Sequence, residues 1–134
     1  MPDGTMAEPD HSDCPFCSDA VQSKAFQSLG TVLAIEDLTP VAPGHLLVIP
    51  RRHTPDFFTM TEEEKRDASE LLTILRDRAV DADPTITGFN VGINCGVSAG
   101  QQIPHAHIHF IPRRDTDPNH PTGVKGVIRN KMTY

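Results

Sequence analysis

The chain has 134 residues, 37% of them hydrophobic, no tryptophan and a formal net charge of -6. That length suits one domain whose core needs no disulfides, and the scarcity of aromatic residues makes the core mainly aliphatic. The acidic balance argues against non-specific binding to nucleic acid or to an anionic membrane, both of which need a basic surface, and no apolar run approaches the length of a membrane span. A local pocket can still take a small phosphate ligand against that global field.

Met1 to Asp13 is polar and acidic with no apolar segment of a signal peptide, so 1–13 reads as a disordered leader ahead of one domain over 14–134. Asp13 to Cys17 reads as a tight turn, with Pro15 between Cys14 and Cys17. Phe26–Ser28 is a candidate short strand, and Gly30 turns the chain into a β-branched and apolar strand at Thr31–Ile35. Thr39–Gly44 is a Pro/Gly loop, followed by the strand His45–Ile49 and its stop at Pro50. Thr61 with Glu64 matches a capping box, and Ala68, Leu71, Leu72, Leu75 and Ala79 recur at helical spacing, so a helix is expected over Thr61–Ala82. Gly88 opens a further strand through Asn94, Gly96–Gln102 is a small-residue loop, and His105–Ile111 is the last strong strand. From about residue 113 onward the chain is a Pro-, Gly- and charge-rich tail with a short apolar patch at Val124–Ile128. The expected fold class is α+β: an antiparallel sheet of about five strands with one long helix packed on it. Three cysteines, with no secretion signal in the leader, point to a reducing, cytoplasmic setting.

The chemistry concentrates in His105-Ala106-His107-Ile108-His109. Side chains alternate along a strand, so the three imidazoles share one face at spacings of roughly 6.6–7 Å, while Ala106, Ile108 and Phe110 share the apolar face. Such a row is costly to keep for packing alone, because each ring needs hydrogen-bond partners and charged rings repel. Imidazole is both a neutral nucleophile and a cationic proton donor near neutral pH, which suits nucleotidyl or phosphoryl transfer. On spacing alone, a metal site built from i, i+2 histidines stands beside that reading. Cys14-x-x-Cys17 adds two thiolates at ligand spacing.

His105 to Ile111 resembles the defining motif of the histidine-triad family, and three further stretches are similar to it: Gly44–His53, Asn94–Ile103 and Cys14–Cys17. The resemblance implies that His107 attacks the α-phosphorus of an adenine nucleotide, forming a covalent nucleotidyl-histidine that water then hydrolyses to a mononucleotide such as AMP. It implies leaving-group contact for His109 and nucleotide binding by Asp37, His45, Asn94, Gly100, Gln101 and Gln102. His45 is expected to orient the site, and Asp37 to meet the ribose hydroxyls. The resemblance also supplies His53 and His105 as partners of Cys14 and Cys17 in a structural zinc site, with no organic cofactor, and implies a homodimer. Related nucleotidylyltransferases carry glutamine at the third triad position, so His109 favours hydrolysis of nucleoside phosphoramidates or dinucleoside polyphosphates. The alternatives are a nucleotide-binding scaffold with little turnover, a nucleotidylyltransferase, and a metal-dependent hydrolase.

Overall fold

In the computed structural model residues 13–117 are described; the acidic leader, the tail patch Val124–Ile128, Lys125, His11 and His120 lie outside them. The elements run α1 (Asp19–Ser23), β1 (Gln27–Leu29), β2 (Val32–Glu36), β3 (Leu46–Pro50), α2 (Glu62–Ala82), β4 (Ile86–Gly92) and β5 (Ile108–Arg114), with 3-10 turns at Phe57–Thr59 and Val97–Ala99. The strands form one antiparallel sheet in the order β1-β2-β3-β5-β4, so the expected α+β architecture holds. None of the described helices is long and apolar enough to cross a membrane.

Helix α2 starts where the capping box places it. Thr61 accepts from the Glu64 N–H and Glu64 accepts from the Thr61 N–H. Glu64, Ala68, Leu71 and Leu75 form its buried stripe, which lies on Val32, Ala34, Leu46, Val48, Ala106, Ile108 and Phe110. The opposite face of the sheet, Leu33, Ile35, Leu47 and Ile49, is covered by Cys14 and Phe16 of the N-terminal turn. Strands β2 and β3 are therefore buried on both faces, which explains their unbroken apolar runs. The same capping Glu64 takes a two-pronged hydrogen bond from Arg52, beside the end of β3. Burial acts to raise the Glu64 carboxyl, but Arg52 and the Thr61 N–H outweigh it and hold the group below the usual carboxylate range.

Several boundaries differ from the sequence reading. The short helix α1 was not expected; Ser18 caps it by accepting from the N–H groups of Ala20 and Val21. Strand β4 begins at Ile86, before Gly88, with a register irregularity between the two. Arg113 and Arg114 belong to β5 rather than to a tail. The largest correction concerns the triad strand, which starts at Ile108 rather than at His105. Pairing of Leu46 with Phe110 and Val48 with Ile108 sets Pro50 opposite Ala106. Pro50 has no N–H to give, so the ladder stops there. The Ala106 N–H turns instead to the Thr54 carbonyl at 2.7 Å, and the Pro50 carbonyl takes the His105 ring at 2.8 Å.

Candidate functional site

Although His105 and His107 precede the ladder, the alternation survives. Ala106, Ile108 and Phe110 pack on the helix side, while the rings of His105, His107 and His109 are buried on the other side at 0%, 1% and 5% exposure. Phe16 stands edge-on to two of them, with ring centroids 5.7 Å from His105 and 5.3 Å from His107. His107 and His109 follow at 5.3 Å.

Two clusters of ligating side chains flank His107. The first is Cys14, Cys17, His53 and His105, whose donor atoms all lie within 4.8 Å of one another. Cys14 Sγ is 3.4 Å from His105 Nδ1, and Cys17 Sγ is 3.2 Å from His53 Nδ1 and 3.5 Å from His105 Nδ1. His105 Nε2 faces a carbonyl, which only accepts, so its proton sits on Nε2 and Nδ1 carries the lone pair toward the thiols. A second ring nitrogen tied to a backbone carbonyl is what a metal-ligating histidine needs. Burial and the neighbouring Cys14 thiol push the Cys17 thiol up to about 11, a cost that a bound cation offsets. Two sulfurs and two imidazoles fit a tetrahedral transition-metal site, with zinc chemistry the natural match.

The second cluster is Asp37, His45 and His109. His45 Nε2 is 3.0 Å from His109 Nδ1 and 3.3 Å from Asp37 Oδ2; Asp37 Oδ1 accepts from the Thr39 N–H at 2.8 Å. Here the backbone decides against a metal. The Val41 N–H donates to His45 Nδ1 at 3.1 Å, so the His45 proton must occupy Nε2, the very atom that faces the cluster. Gly44, with φ at 90°, makes the turn that delivers His45; a side chain there would stand 3.1 Å from Pro112.

His107 carries the opposite tautomer to His105. Its Nδ1 lies 2.8 Å from the His105 carbonyl, which makes Nδ1 the protonated nitrogen and leaves Nε2 as the lone-pair atom. The loop before the triad brings Asn94 and Gly100 together, since a Cβ on Gly100 would meet Asn94 Nδ2 at 3.7 Å. Gly100 is left-handed, at φ 96°. Gln101 is buried, and its amide ties the loop down: Oε1 accepts from Gly96 N–H at 2.7 Å, and Nε2 donates to the Pro55 and Ile103 carbonyls. Gln102 is exposed. A cavity of about 220 Å³ opens on the triad side of the sheet beside Phe16, Ile35 and Leu47, with Lys24 and the exposed Leu38 at its rim. A larger one of about 450 Å³ lies on the helix side, against Leu46, Leu75, Ala79 and Phe110, and is also lined by Asp37 and His45.

Three groups had escaped the sequence reading: Phe16, the Pro50 carbonyl and the Val41 N–H. Only Phe16 left a trace there, as the apolar residue between the two cysteines; the other two act through main-chain atoms that no residue type announces.

A family model described as the HIT domain matches residues 19–116. The chain belongs to the HIT domain family. It is 36% identical over 104 residues to the asymmetrical bis(5'-nucleosyl)-tetraphosphatase of Schizosaccharomyces pombe, the match covering 76% of this chain and 56% of that protein. It is 34% identical over 99 residues to a bis(5'-adenosyl)-triphosphatase of Dictyostelium discoideum, over 72% of this chain and 64% of that one. The chain thus spans somewhat more than half the length of these relatives. Among solved structures, a zinc-bound histidine-triad family protein from Mycobacterium smegmatis superposes with a TM-score of 0.72 at 29% identity, over 81% of each chain.

Proposed function

We propose that this chain is a nucleotide hydrolase acting at an α-phosphate through a covalent intermediate on His107. The observation that carries the reading is the His107 Nδ1 to His105 carbonyl bond of 2.8 Å, which directs the ring's lone pair to Nε2. In the first step that lone pair forms a bond to phosphorus. The bond from phosphorus to the leaving group breaks, and the leaving group takes the electron pair and a proton from His109 Nε2. Water then attacks phosphorus, the N–P bond breaks, and the proton of the water returns to His109, releasing a nucleoside monophosphate. The cavity beside Phe16, Ile35 and Leu47 has the apolar walls a nucleobase needs, and the named relatives direct the reading to adenosine dinucleotides. Asn94 and the Gly100 turn are assigned to the phosphate, and Gln101 to holding that loop. Asp37 has no exposed side-chain surface, so we assign its carboxylate to the His45–His109 pair as well as to the expected ribose contact.

Zinc is assigned to Cys14, Cys17, His53 and His105, where it would supply structural fixation of the N-terminal turn against His105. Three free cysteines and a thiolate-rich metal site suit a reducing cytoplasmic compartment, and the family's two-fold dimer is the expected assembly. Rapid quenching with diadenosine tetraphosphate or an adenosine phosphoramidate, followed by intact-protein mass spectrometry, tests the mechanism. A nucleotidyl adduct on wild-type protein, absent from His107→Ala, is expected; turnover without any adduct would overturn the covalent route.

A further inference from the structure

The cavity assigned to the nucleobase has two walls of different origin. One is Ile35 of β2, Leu38 just beyond it and Leu47 of β3, all carried by the sheet. The other is Pro15, Phe16 and Val21, which belong to the segment ahead of β1. Among the described residues, the main-chain hydrogen bonds of 14–25 close within that segment: Cys17 on Cys14, Gln22 on Ser18, Lys24 on Val21 and Ala25 on Gln22. The first to cross to the sheet is the Phe26 N–H, on the Ala34 carbonyl at 2.7 Å. Helix α1 has five residues, far short of the length that stands alone in water. Side chains therefore hold this wall. Cys14 and Phe16 are buried on the sheet, the Gln22 amide donates to the Arg51 carbonyl at 3.2 Å, and the remaining tie is the cluster of Cys14, Cys17, His53 and His105.

That cluster joins the two walls directly. Cys14 and Cys17 flank Pro15 and Phe16, whereas His53 follows β3 and His105 precedes β5. Two donors thus sit on the wall and two on the frame, all within 4.8 Å of one another. On their own the thiols and imidazoles meet through contacts of 3.2–3.5 Å, and a thiol is a weak donor. A cation taken by all four replaces those contacts with coordinate bonds across the seam. A ligand that needs the wall closed binds in proportion to the closed fraction, and such a coupling works equally in both directions. We propose that segment 14–25 is a cavity wall held shut by the metal cluster, and that the cation and the nucleotide strengthen each other's binding through it. The nucleotide half of the proposal rests on the reading above; the dependence of the wall on the cation does not.

Calorimetry with AMP on the full chain, zinc-loaded and after zinc removal by a chelator and desalting, tests the coupling. The metal-free chain is expected to bind AMP about ten-fold more weakly, within the ordinary range for coupled sites. Saturating AMP should raise the zinc affinity by the same factor, measured by competition with a chromophoric chelator. Equal or tighter AMP binding by the metal-free chain overturns the coupling. Hydrogen exchange with and without zinc tests the wall itself: faster exchange is expected within 14–25, with β2 and β3 unchanged. Unchanged exchange in 14–25 overturns the wall whatever the cavity binds. Loss of protection throughout the sheet overturns it too, since the cation would then hold the whole fold rather than one wall. A zinc-loaded chain that binds no AMP refutes the nucleotide reading and the coupling built on it, while the exchange result still decides the wall.

Discussion

The two ligating clusters on either side of His107 look alike by residue type and proximity, yet they are built for opposite purposes. In Cys14, Cys17, His53 and His105 a backbone carbonyl takes the outer ring proton of His105, so the inner nitrogen offers a lone pair. In Asp37, His45 and His109 a backbone N–H takes the outer lone pair of His45, so the inner nitrogen offers a proton. The first cluster presents lone pairs to its centre, the second a proton. The lesson is that the far side of an imidazole, satisfied by the main chain, decides what its near side can do.

The comparison can be broken most severely at the residue between the clusters. His107→Ala should reduce turnover on the order of 10⁴-fold or more, as loss of a nucleophile does, with unchanged far-ultraviolet circular dichroism; a modest loss would remove His107 from the centre of the chemistry. Next come the ligands themselves. Cys17→Ser should abolish zinc binding measured by elemental analysis and the thiolate charge-transfer band of the cobalt-loaded protein, whereas Asp37→Asn should leave both intact. Metal loss from Asp37→Asn would show that the clusters are not separate in function.

Gln101→Ala leaves the Gly96 N–H and the Pro55 and Ile103 carbonyls without the bonds that hold the loop. Denaturant unfolding should show a loss of about 1–3 kcal/mol, with KM for nucleotide rising through the loosened Gly100 turn. The smallest effect concerns the anchor next to His53. Glu64→Gln keeps the helix cap and removes the charge paired with Arg52, costing about 0.5–1 kcal/mol because Arg52 is half exposed. Since the folded carboxyl is held below its ordinary range, this contribution is present above about pH 4.3 and fades as pH falls further. The stability difference between wild type and Glu64→Gln should therefore shrink on acidification; a constant difference would contradict the charge pair.

Much of the fold was legible in the sequence because its signals are local or periodic. Thr61 and Glu64 marked the start of α2, and the alternation after His105 correctly sorted Ala106, Ile108 and Phe110 to the core. The meeting of Cys14 and Cys17 with His53 and His105 was legible only through family resemblance, since 91 positions separate Cys14 from His105 and no spacing rule spans that distance. What escaped was the main chain's part. The start of β5 moved because a proline on another strand withheld an N–H, and the roles of His45 and His105 diverge through a Val41 N–H and a Pro50 carbonyl. Such groups are common to almost every residue, so only their placement in three dimensions carries information.

Pro50 gives that observation a consequence for sequence tolerance. It touches no substrate in the proposed mechanism, yet its missing N–H ends the ladder beside the triad. An alanine in its place would offer the missing N–H toward Ala106 and allow the ladder one further pair. In that pair the Ala106 N–H would compete for the carbonyl that now holds His105 at 2.8 Å. A substitution that strengthens the sheet would then weaken the grip on His105, which links the Cys14–Cys17 cluster to His107, so stability and turnover are expected to move in opposite directions at this single position.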